Sequence, residues 1–322
     1  MRRVLGRIAS IMVLSAWVGC GQAPVPVASP EPPVPGVRGP LLAHLPAGAR
    51  FVGRVEPARL WALPAVRDVV APLLRPEGIA AFQDRTGVPL LEVEEAVFAR
   101  YGEDGFVVLA RLPEGVPAPD VVRANAQRMA PVEIASDAPF MRRVGYLGEV
   151  RRELVALDAR VLLVAGEAGV EVTELLTALR AGGAALGLRG SGRRLAEAWG
   201  DAPCVVVAPE PLPLDRSGGI GLVLARHEAA ALRIDPAEAA LRVRAAVVGE
   251  LPSSAERNFR TWIQSVARSD LGRAFGLEDA LPTYRAAVGE RDAELSIELS
   301  TAGLAEGVRL LFLAELDEIF AD

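Results

Sequence analysis

Asp158-Ala159-Arg160-Val161-Leu162-Leu163-Val164-Ala165-Gly166-Glu167-Ala168-Gly169-Val170 writes a turn, a strand and the start of a helix in succession. Val161, Leu163 and Ala165 alternate along it, which is the period of a strand with one buried face. Val172, Leu175, Leu176 and Leu179 then recur at helical spacing. The pattern returns 134 residues later. Asp292-Ala293 opens a run with Leu295, Ile297 and Leu299, followed by Ala302-Gly303-Leu304 and a helical stripe of Leu304, Val308, Leu311 and Phe312. A repeated unit changes the expected fold, so the echo is followed outward from here.

Upstream, Phe106 to Leu112 predicts a strand followed by a helix from Pro119 to Met129, and Leu241 to Val248 a strand followed by a helix from Ser253 to Arg268. Ser253 and Glu256 have capping-box spacing, and Phe259, Trp262, Ile263 and Val266 share one helical face. A third pair matches Ala49 to Glu56 with Ala202 to Pro209. Each half therefore reads strand, helix, strands, helix. The tight turns Leu157-Asp158-Ala159 and Gly289-Glu290-Arg291-Asp292 imply antiparallel pairing with helices packed on one face. The expectation is an α+β body of two related halves, Leu41 to Gly183 and Ala184 to Asp322.

The N-terminus has a different grammar. Arg2, Arg3 and Arg7 precede an uncharged, mostly apolar run from Ile8 to Val18, then Gly19-Cys20-Gly21. This is the layout of a secretory signal. Its apolar run is well short of the roughly 20 residues a spanning helix needs. Trp17-Val18-Gly19-Cys20 resembles the bacterial lipobox, with Trp17 where leucine is usual. The resemblance implies cleavage before Cys20, acyl chains on that cysteine, and a lipoprotein held at the membrane. Gly21, where aspartate would signal inner-membrane retention, favours the outer membrane or its periplasmic face. From Gly21 to Pro40 there are seven prolines and no periodicity, the composition of an extended tether reaching about 60 Å at most.

The body, with its Leu45-Pro46-Ala47-Gly48-Ala49 entry and its turn, strand and helix from Asp158 to Leu179, resembles uncharacterised exported bacterial proteins of the domain-of-unknown-function type. That resemblance implies no catalytic residue.

Composition narrows the chemistry. The chain contains no lysine, so Schiff-base catalysis and a P-loop are excluded. Without the three leader arginines its formal charge falls from −6 to −9, which gives no attraction for nucleic acid. The two histidines, His44 and His227, and the cysteine Cys204 form no cluster with metal-ligand spacing, and no cofactor is expected.

Individual candidates reduce to structural roles. Cys204 reads as a buried strand thiol and His227, beside Glu228, as a strand end or hairpin turn. His44 is expected in solvent. Ser217-Gly218-Gly219-Ile220-Gly221 reads as a loop or bulge. Gly190-Ser191-Gly192-Arg193-Arg194 starts a helix running to Trp199, where Ser191 caps the helix or an anion binds. Glu94-Glu95 is expected on the solvated side of a helix whose apolar side holds Val93, Val97 and Phe98, and Glu103-Asp104-Gly105 in a turn.

Three function classes follow. The first is a non-catalytic envelope lipoprotein that contacts a protein partner, the second a carrier of a hydrophobic ligand such as a lipid, and the third a hydrolase. No catalytic, cofactor-binding or metal-ligating residue is assigned, and Cys20 is the one expected site of modification.

Overall fold

The computed structural model describes residues 37–71, 76–133, 139–147, 149–183, 187–211, 219–237 and 240–307. The leader, Cys20 and the tether as far as Gly36 lie outside the described residues, as do Ser217, Gly218, Val308, Leu311 and Phe312.

Twelve strands form one sheet: β1 (Phe51–Val55), β2 (Glu95–Tyr101), β3 (Gly105–Arg111), β4 (Ala130–Glu133), β5 (Met141–Leu147), β6 (Val150–Ala156), β7 (Val161–Gly166), β8 (Cys204–Ala208), β9 (His227–Pro236), β10 (Ala240–Gly249), β11 (Arg285–Val288) and β12 (Asp292–Ser300). The helices are α1 (Pro57–Trp61), α2 (Pro64–Val70), α3 (Pro76–Thr86), α4 (Ala118–Ala126), α5 (Gly169–Arg180), α6 (Gly190–Ala198), α7 (Gly219–Val223), α8 (Ala255–Ala267), α9 (Asp270–Ala274), α10 (Leu277–Ala280) and a further helix at 301–307. The expected α+β fold is the observed one, and every strand pairing in the sheet is antiparallel.

The strand order is β11-β12-β10-β9-β8-β1-β2-β3-β7-β6-β5-β4. The two halves thus share a single sheet and meet at the β1–β8 pair. Read outward from that seam, the order is β1-β2-β3-β7-β6-β5-β4 on one side and β8-β9-β10-β12-β11 on the other.

The faces follow from the register. Residues directly opposite one another share a face, so one row runs Leu163, Leu109, Val97, Arg54, Val205, Arg233, Arg244, Ser296 across the sheet. The row on the other face runs Val164, Val108, Phe98, Gly53, Val206, Leu232, Ala245, Leu295. On the first face, Val107, Leu109, Leu163 and Ala165 cluster with Val172, Leu175 and Leu176 of α5, and Val205 and Val207 with Leu195 and Ala196 of α6. Burying a Val or Leu side chain completely contributes about 1.5–3 kcal/mol. On the second face α4 supplies Ala118, Val121 and Val122 against Leu154, Ala156 and Leu162, and α8 supplies Phe259 against Val247 and Leu295. The one-face arrangement expected from sequence describes α4 and α8, and α5 and α6 cover part of the opposite face as well.

The same register corrects the echo in detail. Val161, Leu163 and Ala165 lie on the first face, whereas Leu295, Ile297 and Leu299, their counterparts at the 134-residue spacing, lie on the second, where Ile297 and Leu299 cluster with Leu304. A shift of one residue exchanges the faces of a strand, and β7 is buried on both, so its hydrophobic run did not reveal which alternation mattered.

Four further expectations are revised. Glu95 begins a strand, because Val97, Ala99 and Tyr101 bury alternately against the core. The Ser253–Glu256 capping box does not form: Ser254 precedes α8, and its hydroxyl accepts from Asn258 Nδ2 at 3.1 Å. Gly219–Val223 is a short helix instead of a loop. Residues 37–40 belong to the body and not to the tether, since Val37 is buried and donates its N–H to Asp158 Oδ2 at 2.7 Å, and Arg111 donates to the Gly39 carbonyl at 2.8 Å.

Candidate functional site

The seam brings together three valines from distant parts of the chain. Val52 of β1 pairs with Val207 of β8, and Val205 lies opposite Arg54, so Val52, Val205 and Val207 form an apolar floor on the first face. The 3-10 turn Leu41–His44 makes one wall. Leu41 and Leu45 are wholly buried and hold the turn down, which leaves Pro40, Leu42 and Ala43 facing a cleft. The opposite wall is α6, through Arg193, Ala196 and Glu197, with Gly187 and Leu188 between the walls. Gly187 is required there, because a Cβ would sit 2.3 Å from the Pro46 carbonyl oxygen. The cleft has a volume of about 370 Å³, within the range of small-molecule sites.

Arg54 closes one end. Its Nε donates to Glu95 Oε1 at 3.2 Å, Nη1 to the carbonyls of Gly200 at 2.7 Å and Ala202 at 3.2 Å, and Nη2 pairs with Glu56. Glu95 also accepts from the Leu41 N–H at 3.3 Å, so it ties β2 to the turn that walls the cleft. Glu94, next to it, turns outward to pair with Arg160. At the rim Arg193 Nε donates to Glu197 Oε1 at 2.7 Å, and the terminal guanidinium nitrogens of Arg193 have no partner among the described residues.

No known protein family and no curated protein matches this chain. Among solved structures it is similar to crystal form III of TP0453, with 9% identity and a TM-score of 0.49 over 84% of this chain and 98% of that one. Crystal form I gives 10% and 0.42 over 85% and 98%, and crystal form IV 8% and 0.43 over 83% and 95%. Likenesses this distant carry nothing about function.

The residues singled out from sequence do not converge on the cleft. His227 opens β9, buried, with Nδ1 against the Leu224 carbonyl, whereas Cys204 pairs with Ile234 near the far end of that strand. Burial raises the Cys204 thiol to about 11, so it is protonated at neutral pH. His44 is buried, contrary to expectation, because the turn that carries it is anchored on both sides; its Nε2 lies 3.0 Å from the Arg38 carbonyl. Glu103 and Asp104 occupy the β2–β3 turn as expected, and Arg100 donates to the Glu103 carbonyl.

Ser191 neither caps α6 nor stands free for an anion. Its hydroxyl donates to Glu228 Oε2 at 2.6 Å and accepts from Arg194 Nη2 at 2.8 Å. The hydrogen bond from Ser191, followed by the charge of and hydrogen bond from Arg291, holds the Glu228 carboxyl below its usual range. Glu228 thus occupies the place an anion would take. A second depression, about 470 Å³, is shallow and lined by Ser253, Ser254, Glu256, Arg257 and Arg260 at the start of α8. It has polar walls and no apolar floor.

The cleft was invisible to local sequence reading because its floor joins Val52 to residues more than 150 positions away. The only local signal was the apolar run Cys204 to Val207.

Proposed function

We propose that this chain is a lipid-anchored protein of the cell envelope, tethered through acyl chains on Cys20, which acts by binding and not by catalysis, and that its seam cleft takes a hydrophobic ligand. One observation carries this reading: an open cleft with a valine floor in which the polar groups of Arg54 are already paired within the protein. Such a lining rewards hydrocarbon, and its ionisable groups besides Arg54 are Arg193 and Glu197, which stand at the rim and pair with each other. The positions of His44, His227, Cys204 and Ser191, each held in contacts within the fold, support the non-catalytic part.

A second reading, contact with an envelope protein, is favoured by the opposite face of the sheet. There Phe98 and Val206 are half-buried and Leu232 is 39% exposed. A photo-crosslinking residue placed at Leu42 in the cleft, and separately at Leu232, separates the two readings in intact envelopes. Adducts of lipid mass from Leu42 are expected. Protein adducts from Leu232, with no lipid captured at Leu42, would replace the carrier reading by the partner one. Intact-mass analysis tests the anchor: mature protein beginning at Cys20 with added acyl mass is expected, and an unlipidated terminus elsewhere overturns it.

A further inference from the structure

We propose that the seam cleft holds a single alkyl chain with its anionic head group at the rim beside Arg193; this rests on the hydrophobic-ligand reading above. The choice between an alkyl chain and a peptide follows from what the walls lack. An extended peptide brings one N–H and one C=O per residue, each of which is costly to bury unpaired. The cleft floor is the face of a sheet and not its edge, so the amides of β1 and β8 are already engaged with one another and with β2 and β9. The walls are a 3-10 turn and a helix. Arg54, the polar side chain nearest the floor, has its donors committed to Glu95, Glu56 and the carbonyls of Gly200 and Ala202. A polymethylene chain asks for no hydrogen bond, and Pro40, Leu42 and Ala43, above the packed Val52, Val205, Val207 and Ala196, give the cleft its accessible apolar surface.

The head group is assigned by charge. Arg193 lines the cleft with its side chain 54% exposed, and only its Nε is taken, by Glu197. Its terminal nitrogens present a planar pair of donors to solvent at the mouth, a geometry suited to a carboxylate or a phosphate. Glu197 stands on the same rim one helical turn away and is half satisfied by that Nε. It opposes an anion there weakly and offers a cation no buried pocket of its own. The chain therefore enters between the turn Leu41–His44 and α6, and the head remains in water.

The test uses the mature chain carrying Cys20→Ser, so that no anchor acyl chain competes, titrated calorimetrically with dodecanoate, dodecanol and dodecyltrimethylammonium. Dodecanoate is expected to bind one to one. Ala43→Trp, which fills the mouth from the turn without touching the buried Leu41 and Leu45, is expected to weaken all alkyl binding by about tenfold or more. Arg193→Gln is expected to weaken dodecanoate by about two- to five-fold, the scale of an exposed ion pair, and to leave dodecanol unchanged. Equal binding of the cationic and anionic probes, or indifference of dodecanoate to Arg193→Gln, overturns the head-group assignment while the carrier reading stands. Alkyl binding unaffected by Ala43→Trp overturns the site. Absence of binding by all three probes to a chain whose circular dichroism shows it folded overturns the carrier reading together with this one.

Discussion

β7 and β12 are each the fourth strand out from the β1–β8 seam, on opposite sides of it, yet they live in different environments. β7 is covered on both sides: α5 packs over Leu163 and Ala165, and α4 lies over Leu162. β12 is covered on one. Its first face carries Glu294, Ser296 and Glu298, and the two glutamates meet Arg244 and Arg242 of β10 in cross-strand pairs at 3.5 and 2.5 Å. The helix that follows each strand explains the contrast. α5 folds back over the first face, whereas the helix at 301–307 sits on the second, with Leu304 beside Ile297 and Leu299. An equivalent place in a topology therefore does not fix which face of a strand is wet; the side taken by the next helix does.

The sharpest way to break this comparison is to truncate the same row at its two ends. Leu163→Ala should cost about 2–5 kcal/mol, since it opens a cavity in a closed core, and Ser296→Ala should stay within about 0.5 kcal/mol. Urea unfolding of the two variants measures the difference, and equal losses would mean that the two ends are equally buried. Ion pairs give a smaller contrast. Glu153 of β6 is 1% exposed and sits between Arg142 at 2.7 Å and Arg151 at 2.5 Å. Arg142→Met should cost about 3 kcal/mol, the low end for breaking a buried pair because Arg151 remains. Arg242→Met, which breaks an exposed pair with Glu298, should cost no more than about 1 kcal/mol. Similar shifts in denaturation midpoint for the two would sink the distinction.

The smallest effect is in the pH dependence. Burial pushes the Asp235 carboxyl up, but hydrogen bonds and charge from Arg233 and Arg244 outweigh it and hold the group below its ordinary value. A depressed carboxyl stabilises the fold above its unfolded pKa of about 3.9, and that contribution disappears as the pH falls through the lower folded value. Asp235→Asn should therefore lower the midpoint at neutral pH, and the difference from the parent protein should shrink as the pH falls through the lowered folded value. Parallel curves across the whole acid range would show that the charge of Asp235 is irrelevant.

Much of this fold was legible in the chain. The turn at Asp158 is an Asx turn whose Oδ1 accepts from the N–H groups of Arg160 and Val161, each at 2.7 Å, which is what aspartate does at that position. The strands at 106–112 and 241–248 and the helix around Phe259 lie where their periodicity placed them. The alternation Glu294, Ser296, Glu298 already announced a wet face. What escaped were features decided by distant packing. Val93, Val97 and Phe98 fit a helical stripe as well as a strand, and only pairing with β1 and β3 chose the strand. His44 looked terminal until Leu41 and Leu45 proved to be core. The seam cleft depends on β1 meeting β8, a contact no local window contains, and its candidate rim residue Arg193 was legible only within a helix start that could cap or bind an anion, with nothing local to place it beside Val52.

The way the chain enters the body has a mechanical consequence. Val37 is held by Asp158, Gly39 by Arg111 and Leu41 by Glu95. Every one of these holds belongs to the first half. A pull on the residues before Val37 is therefore delivered first to the β6–β7 turn and to β2 and β3, and it reaches β8 to β12 through the β1–β8 ladder, the Arg54 contacts, the hydrogen bond from Arg59 to the Asp201 carbonyl and the core the two sides share. The first half behaves as a bracket and the second as a load hung from it across the seam.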